Sequence, residues 1–182
     1  NMTAYAPDTA ATAVVLYSKN TARYDLINNE FRLVYTYETK IKILKSEGTS
    51  YADINIPFYS NANSGIMKEN VGQIDASAYN MENGKIVRTK MKRDLIFNER
   101  LNKTYEQVKF SIPAVREGTV FEYKYQINSD FYYSINHWEA QRDIPVLLAQ
   151  YDITIPEYFE FNLDMRGSHT FCLLYTSPSP RD

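Results

Sequence analysis

The longest hydrophobic alternation in the chain runs over 31–45. Phe31, Leu33, Tyr35, Tyr37, Thr39, Ile41 and Ile43 share one side, and Arg32, Thr36, Glu38, Lys40 and Lys42 share the other. A helix would bring apolar residues round every three or four positions. A period of two sustained over this length is that of a pleated strand with one buried face. Val34 and Leu44 are the exceptions on the polar side. A second alternation runs over 119–127, with Thr119, Phe121, Tyr123, Tyr125 and Ile127 set against Val120, Glu122, Lys124 and Gln126. It follows Pro113, expected to stop the preceding strand, and the turn Glu117-Gly118.

Shorter segments have the same character. Val14 to Tyr17 predicts a short apolar strand that turns at Ser18-Lys19-Asn20, with a pairing segment through Ala22, Tyr24 and Leu26 punctuated by Asn28-Asn29. Glu47-Gly48 breaks the long strand, and 52–56 alternates until Pro57 ends it. A polar loop over 60–65 separates this from 71–79, where Ile74, Ala76 and Ala78 face one way. Asn83-Gly84 is the strongest hairpin signal, since a type I′ turn needs positive φ at both central residues; Met81-Glu82 leaves the loop length open. The stretch 90–102 reads as a strand or a short helical turn. Residues 104–112, with Val108, Phe110 and Ile112 inward, are expected to be the hairpin partner of 119–127. After a loop at 128–130 and the aromatic run Phe131-Tyr132-Tyr133, further strands are expected over 150–155, with Tyr151, Ile153 and Ile155 on one face, and over 159–163. About ten strands, no amphipathic helix and no fixed repeat predict an all-β fold, an antiparallel β-sandwich that is immunoglobulin-like or related.

Composition agrees. Sixteen tyrosines and nine phenylalanines against six glycines favour pleated surfaces. With 182 residues and 44% apolar content, the chain suits one domain with a sizeable core. Twenty lysines and arginines nearly balance 22 acidic residues, which leaves no basic field to recruit nucleic acid. No run of roughly eighteen apolar residues predicts a membrane span. Asn1 and its neighbours lack the basic and apolar regions of a signal peptide, so the chain is expected to begin inside a longer protein. Residues 172–182 look like the translation of a transposase sequencing adapter. We therefore take 1–167 as the domain and 168–182 as a non-native or unstructured tail, and Cys172, the only cysteine, falls in that tail.

Candidate chemistry is sparse. His137 is the one histidine outside the C-terminal tail, beside Trp138, and a single histidine without cysteines or clustered acids builds neither a triad nor a zinc site. Neither cofactor nor metal is expected. Two pairs of carboxylates, Glu117 with Glu122 and Glu139 with Asp143, leave a glycosidase-like arrangement open, although acids beside turns are usually solvated. Lys90, Lys92, Arg93 and Arg100 form a basic cluster, but interspersed acids and the lack of a glycine-rich loop favour a solvated face over phosphate binding. Tyr35, Tyr37, Tyr123, Tyr125, Tyr132, Tyr133 and Trp138 either line a sugar-stacking platform or fill the space between two sheets about 10 Å apart.

Three segments together carry a family resemblance: 112–123 (Ile-Pro-Ala-Val-Arg-Glu-Gly-Thr-Val-Phe-Glu-Tyr), 40–44 with Glu47-Gly48, and 138–146 with Gln141 and Ile144-Pro145. In order and spacing, 8–167 resembles the DUF3857 family. The resemblance implies the N-terminal all-β domain of an exported bacterial protein, extracytoplasmic, followed in the same chain by a transglutaminase-like domain of the papain-like class. That partner domain would carry the Cys-His-Asp machinery, so no catalytic residue transfers to this segment, which is expected not to be an enzyme. The positions marked out for binding or structure are Pro113, Glu117, Gly118, Glu122, Tyr123, Trp138, Gln141 and Pro145. The expected role is scaffolding or substrate presentation; the alternative is a module of the cell envelope that binds a carbohydrate or peptide.

Overall fold

The computed structural model describes residues 4–60, 67–157, 159–162, 164 and 166. Nine strands are described: β1 (Ala13–Ile27), β2 (Glu30–Ile43), β3 (Asp53–Tyr59), β4 (Glu69–Glu82), β5 (Lys85–Lys90), β6 (Phe97–Arg100), β7 (Tyr105–Ser111), β8 (Val120–Ser129) and β9 (Ala149–Thr154). Short 3-10 turns occupy Ser46–Ala52 and Arg93–Leu95. The strands form a six-stranded sheet, ordered β5-β4-β8-β2-β1-β9, and a three-stranded sheet, ordered β3-β7-β6. The fold is an all-β sandwich, as the alternation predicts.

Residues on the predicted inner face of β2 are buried: Leu33, Tyr35, Thr39, Ile41 and Ile43 all lie in the interior. Their cross-strand partners complete the core. Ile41 pairs with Phe121 of β8 and Val15 of β1, and Tyr35 pairs with Ile127 and Ala22. Each such large side chain removed from water contributes about 1.5–3 kcal/mol. The three-stranded sheet adds Ile56, Val108 and Phe110 to the same cluster from the opposite layer. Leu44, one of the two exceptions to the alternation, instead packs with Ala11 and Val14 in a small second cluster.

Turn chemistry explains two hairpins. Asn28 and Asn29 hold φ of 52° and 67°, and Asn83 and Gly84 hold 50° and 75°, so both are two-residue loops whose twist matches the strands they join. Met81 and Glu82 belong to β4 rather than to the second of these loops.

Other expectations are corrected. No turn occurs at Ser18-Lys19-Asn20; β1 runs through it with a bulge between Val15 and Tyr17, because Ser18 and Asn20 point inward and find a polar interior. Pro57 does not end its strand. β3 continues to Tyr59 because it is an edge strand of its sheet, paired only with β7, and an edge tolerates a missing N–H. The stretch 104–112 is not the hairpin partner of 119–127: β7 pairs with β3 and β6, whereas β8 pairs with β4 and β2. The intervening turn carries the chain from one sheet to the other. β9 pairs with β1 in parallel, an exception to the antiparallel scheme. Residues 159–162 form no strand; Phe159 instead stacks on Tyr24 at 4.8 Å and meets Phe31 edge-on at 5.0 Å. Residues 61–65 of the predicted polar loop, Leu163, and the tail with Cys172 lie outside the described residues.

One backbone contact welds the first strand pair to the 3-10 turn at Ser46–Ala52. The Thr12 carbonyl accepts from the N–H groups of Leu44 and Lys45, at 2.9 and 3.0 Å, and a Cβ on Gly48 would stand 2.4 Å from that oxygen. Backbone cannot yield as a flexible side chain does. Gly48→Ala is therefore expected to cost about 1–3 kcal/mol of stability, measured as a shift of the urea unfolding midpoint at unchanged m.

Candidate functional site

The two sheets are unequal, so part of the inner face of the large sheet is covered by the irregular segment 131–148 instead of by strands. Several bonds hold this strap in place. The Tyr24 hydroxyl donates to the Tyr132 carbonyl at 2.7 Å, the Asn136 N–H donates to the Tyr35 hydroxyl at 2.9 Å, and Tyr51 donates to the Asp143 carboxylate at 2.8 Å. Ile144 is buried in the main core. Beyond it, the Pro145 carbonyl accepts from Val15 N–H at 2.8 Å, and Leu147 N–H donates to the Val15 carbonyl at 2.9 Å, which leads into β9.

Beneath the strap lies a ladder of tyrosines. Pairing places Tyr125, Tyr37, Asn20 and Tyr151 in one row across β8, β2, β1 and β9. The Tyr37 and Tyr125 rings stack at 4.7 Å and 14°, with Tyr123 parallel to Tyr125 at 6.3 Å and 9°. Rings stacked on one another have occupied faces, so the ladder offers edges and hydroxyls rather than a flat sugar-stacking platform. Burial pushes the Tyr37 hydroxyl up to about 12, with the Glu69 carboxylate adding to the shift and a hydrogen bond with Asn20 opposing it. Burial likewise raises Tyr125, helped by its neighbours Tyr37 and Tyr123 and opposed by Arg142. These hydroxyls stay protonated at neutral pH and can both donate and accept.

Arg142 spans the gap between strap and ladder. Its guanidinium donates to Ser18 Oγ at 3.3 Å, and to Thr39 Oγ1 and the Tyr123 hydroxyl, both at 3.4 Å. Beside it opens a shallow cleft of about 410 Å³ lined by Tyr37, Tyr125, Trp138, Glu139, Gln141, Arg142 and Asp143. Trp138 packs against Tyr151 at 5.3 Å. Of the positions marked out from the sequence, Trp138 and Gln141 line this cleft and Tyr123 supports its Arg142 wall. Sequence reading placed Thr39 on the inner face but missed Arg142, and it took Ser18 and Asn20 for turn residues, since inward-facing polar residues on a strand resemble a turn until their cover is known.

Pro113, Glu117 and Gly118 belong elsewhere, to the connection between the sheets. Its centre is a buried pair: the Thr119 hydroxyl donates to Asn80 Oδ1 at 2.6 Å, and Asn80 Nδ2 donates to the Ala114 carbonyl at 2.8 Å. Gly118 holds φ of 83°, which lets its N–H reach the Ile43 carbonyl at 3.1 Å. Glu117 is exposed on this turn. Glu122 lies on the outer face, where it accepts from Tyr79 at 2.5 Å and pairs with Lys40 at 2.8 Å. Burial alone would raise its carboxyl, but the hydrogen bonds from Lys40 and Tyr79 and the charges of Lys40 and Arg88 outweigh it and hold it below the usual range. Such a carboxylate is a poor proton donor near neutrality. Glu117 and Glu122 therefore do not share a site. Glu139 and Asp143 share the cleft, with Asp143 bound to Tyr51 and Glu139 on the surface 3.9 Å from His137. From the basic cluster, Lys90 pairs with Asp75 at 3.0 Å and Arg100 with Glu106. No group of three or more metal-ligating side chains is found among the described residues, and none of their helices is long and apolar enough to cross a membrane.

Removing the Tyr35 hydroxyl would leave the Asn136 N–H without its acceptor. Tyr35→Phe is expected to lose about 1–2 kcal/mol and to speed amide exchange over 131–148 before the sheet, read by hydrogen–deuterium exchange mass spectrometry. A carboxyl depressed in the fold stabilises it above its unfolded pKa and loses that contribution as pH falls through the folded one. Glu122→Gln is thus expected to destabilise at pH 7 by at most about 1 kcal/mol. The gap should close in acid as the wild-type carboxyl protonates, which urea titrations across that range would follow.

The model of one family, described as "Domain of Unknown Function with solved-structure structure (DUF3857)", matches residues 29–172. No curated protein matches the chain. Among solved structures, a "putative protease" from Parabacteroides distasonis ATCC 8503 is similar at 9% identity and a TM-score of 0.47, over 65% of this chain. The chain spans 23% of that protein's length. On the family match, which takes in β2 to β9 and the strap that roofs the tyrosine ladder, the chain belongs to the DUF3857 family.

Proposed function

We propose that this domain is a non-catalytic, extracytoplasmic module that scaffolds, or presents substrate to, a transglutaminase-like domain further along the same chain. The observation that carries this reading is how the candidate catalytic groups are used. Glu122 is tied to Lys40 and Tyr79, Asp143 to Tyr51, and His137 and Glu139 stand on the surface, 82% and 78% exposed. A general base needs an orienting partner and a site that excludes water, and an exposed pair 3.9 Å apart has neither. What the fold does build is a rigid six-stranded platform with an open cleft on its strapped face. That arrangement suits holding a molecule rather than cleaving one. The resemblance of 8–167 to DUF3857 domains supports placing the catalytic machinery downstream.

A second reading, a carbohydrate- or peptide-binding module of the cell envelope, is favoured by the cleft lining itself: rings, an amide and charges of both signs converge there.

Two measurements separate these readings from an autonomous hydrolase. The 182-residue chain, screened against peptide, ester and glycoside substrates, is expected to turn over none; turnover abolished by Glu117→Gln or Glu139→Gln would overturn the proposal. In the parent protein, deleting this domain is expected to lower kcat/KM on protein substrates while sparing small amide substrates. Equal kcat/KM with and without the domain would remove the presenting role.

A further inference from the structure

We propose that the cleft between the strap and the tyrosine ladder binds a neutral, polyhydroxylated ligand, namely the saccharide units of an oligosaccharide. This deepens the binding reading above and rests on it.

The lining decides the ligand class. It contains three aromatic rings, two carboxylates, one guanidinium and one amide, and no aliphatic side chain. A purely apolar ligand would leave those polar groups without partners, at a cost. A lone anion would meet Glu139 and Asp143, and a lone cation would meet Arg142, so neither sign is selected. A sugar ring carries hydroxyls that each donate and accept, and carboxylates, amides and guanidinium groups are planar partners for adjacent hydroxyls. Its C–H faces pack on an indole such as Trp138. The volume, about 410 Å³, falls within the range of small-molecule sites, and the open form suits a chain lying across the cleft.

A second observation points to the same place. Asn20 is 1% exposed, yet its Oδ1 has no hydrogen-bond partner, and the buried Tyr151 hydroxyl has none either. The two residues face each other across β1 and β9. Both lie directly behind lining residues, Asn20 opposite Tyr37 across β1 and β2 and Tyr151 packed on Trp138. Buried polar atoms are nearly always satisfied, so an unmet acceptor and an unmet hydroxyl directly behind the lining keep that wall of the cleft polar, in keeping with a hydroxylated ligand.

An extended peptide is a poorer fit. It would dock either by adding a strand to a sheet edge or by filling apolar pockets. Tyr37 and Tyr125 lie on β2 and β8, interior strands already paired on both sides, and the lining offers no aliphatic pocket.

Trp138 is the only tryptophan, so intrinsic emission of the intact chain reads the cleft directly. Titration with cellohexaose, xylohexaose, mannohexaose and chitohexaose, with trigalacturonate and a capped hexapeptide as contrasts, tests the proposal, and calorimetry on the same solutions covers a silent fluorophore. At least one neutral hexasaccharide is expected to give a saturable change, weakened at least about fivefold by Gln141→Ala and untouched by Lys124→Ala on the far face. Gln141 is exposed, so the variant should keep the wild-type melting curve. Saturation by no neutral saccharide, saturation only by trigalacturonate or the peptide, or a response indifferent to Gln141→Ala would each overturn the assignment. Failure here with a parent enzyme that still depends on the domain removes the saccharide site and leaves the presenting module. Saccharide binding with a domain-independent parent does the reverse.

Discussion

Everything in this domain depends on the register of β2 between β1 and β8. Leu33, Tyr35, Thr39, Ile41 and Ile43 enter the interior together only because β2 is paired on both sides, with Tyr35 opposite Ala22 and Ile127 and Ile41 opposite Val15 and Phe121. A slip of one residue would turn all of them to solvent and bury Glu38, Lys40 and Lys42. The same register aligns Tyr125, Tyr37, Asn20 and Tyr151 into one row, whose Tyr125 and Tyr37 line the cleft. Core and candidate site are thus one construction.

The two faces of the large sheet meet different demands. Outside, cross-strand ion pairs occupy the polar positions: Lys40 with Glu122, Lys124 with Glu38 and Lys19 with Asp152. Exposed pairs of this kind add little stability each, but they keep a broad sheet face hydrated. Inside, the three-stranded sheet covers only part of the surface, and the strap covers the rest with polar anchors at Tyr35, Tyr51 and the Arg142 hydroxyl contacts. A cover made of irregular backbone has its own N–H and C=O groups to satisfy, and the hydroxyl-rich ladder beneath supplies partners that an aliphatic core could not.

The aromatic richness legible in the sequence was compatible with a stacking platform or with core filling, and the structure divides it. Tyr35 and Tyr123 fill the interior, Tyr37 and Tyr125 line the cleft, and Tyr132 and Tyr133 stay exposed. The residues that carried the family resemblance divide likewise. Pro113, Gly118 and the Thr119–Asn80 pair build the crossing between sheets, whereas Trp138 and Gln141 line the cleft. Arg142 lies in the middle of 138–146, and nothing local to a charged residue in a loop tells that it will reach Ser18, Thr39 and Tyr123.

The amino-acid sequence by itself determined the all-β class, the inward residues of β2 and β8 and the hairpin at Asn83-Gly84. Period-two alternation and positive-φ turn chemistry are local properties, and no distant contact is needed to express them. Only the tertiary structure decided that β9 would lie parallel to β1, that β3 would run through Pro57 at an edge, and that β7 would pair away from β8. Those are choices of partner, governed by contacts between residues far apart in the chain. The cleft belongs with them: Tyr37, Tyr125 and the 138–143 segment come from three parts of the chain and become a site only where the smaller sheet leaves the larger one uncovered.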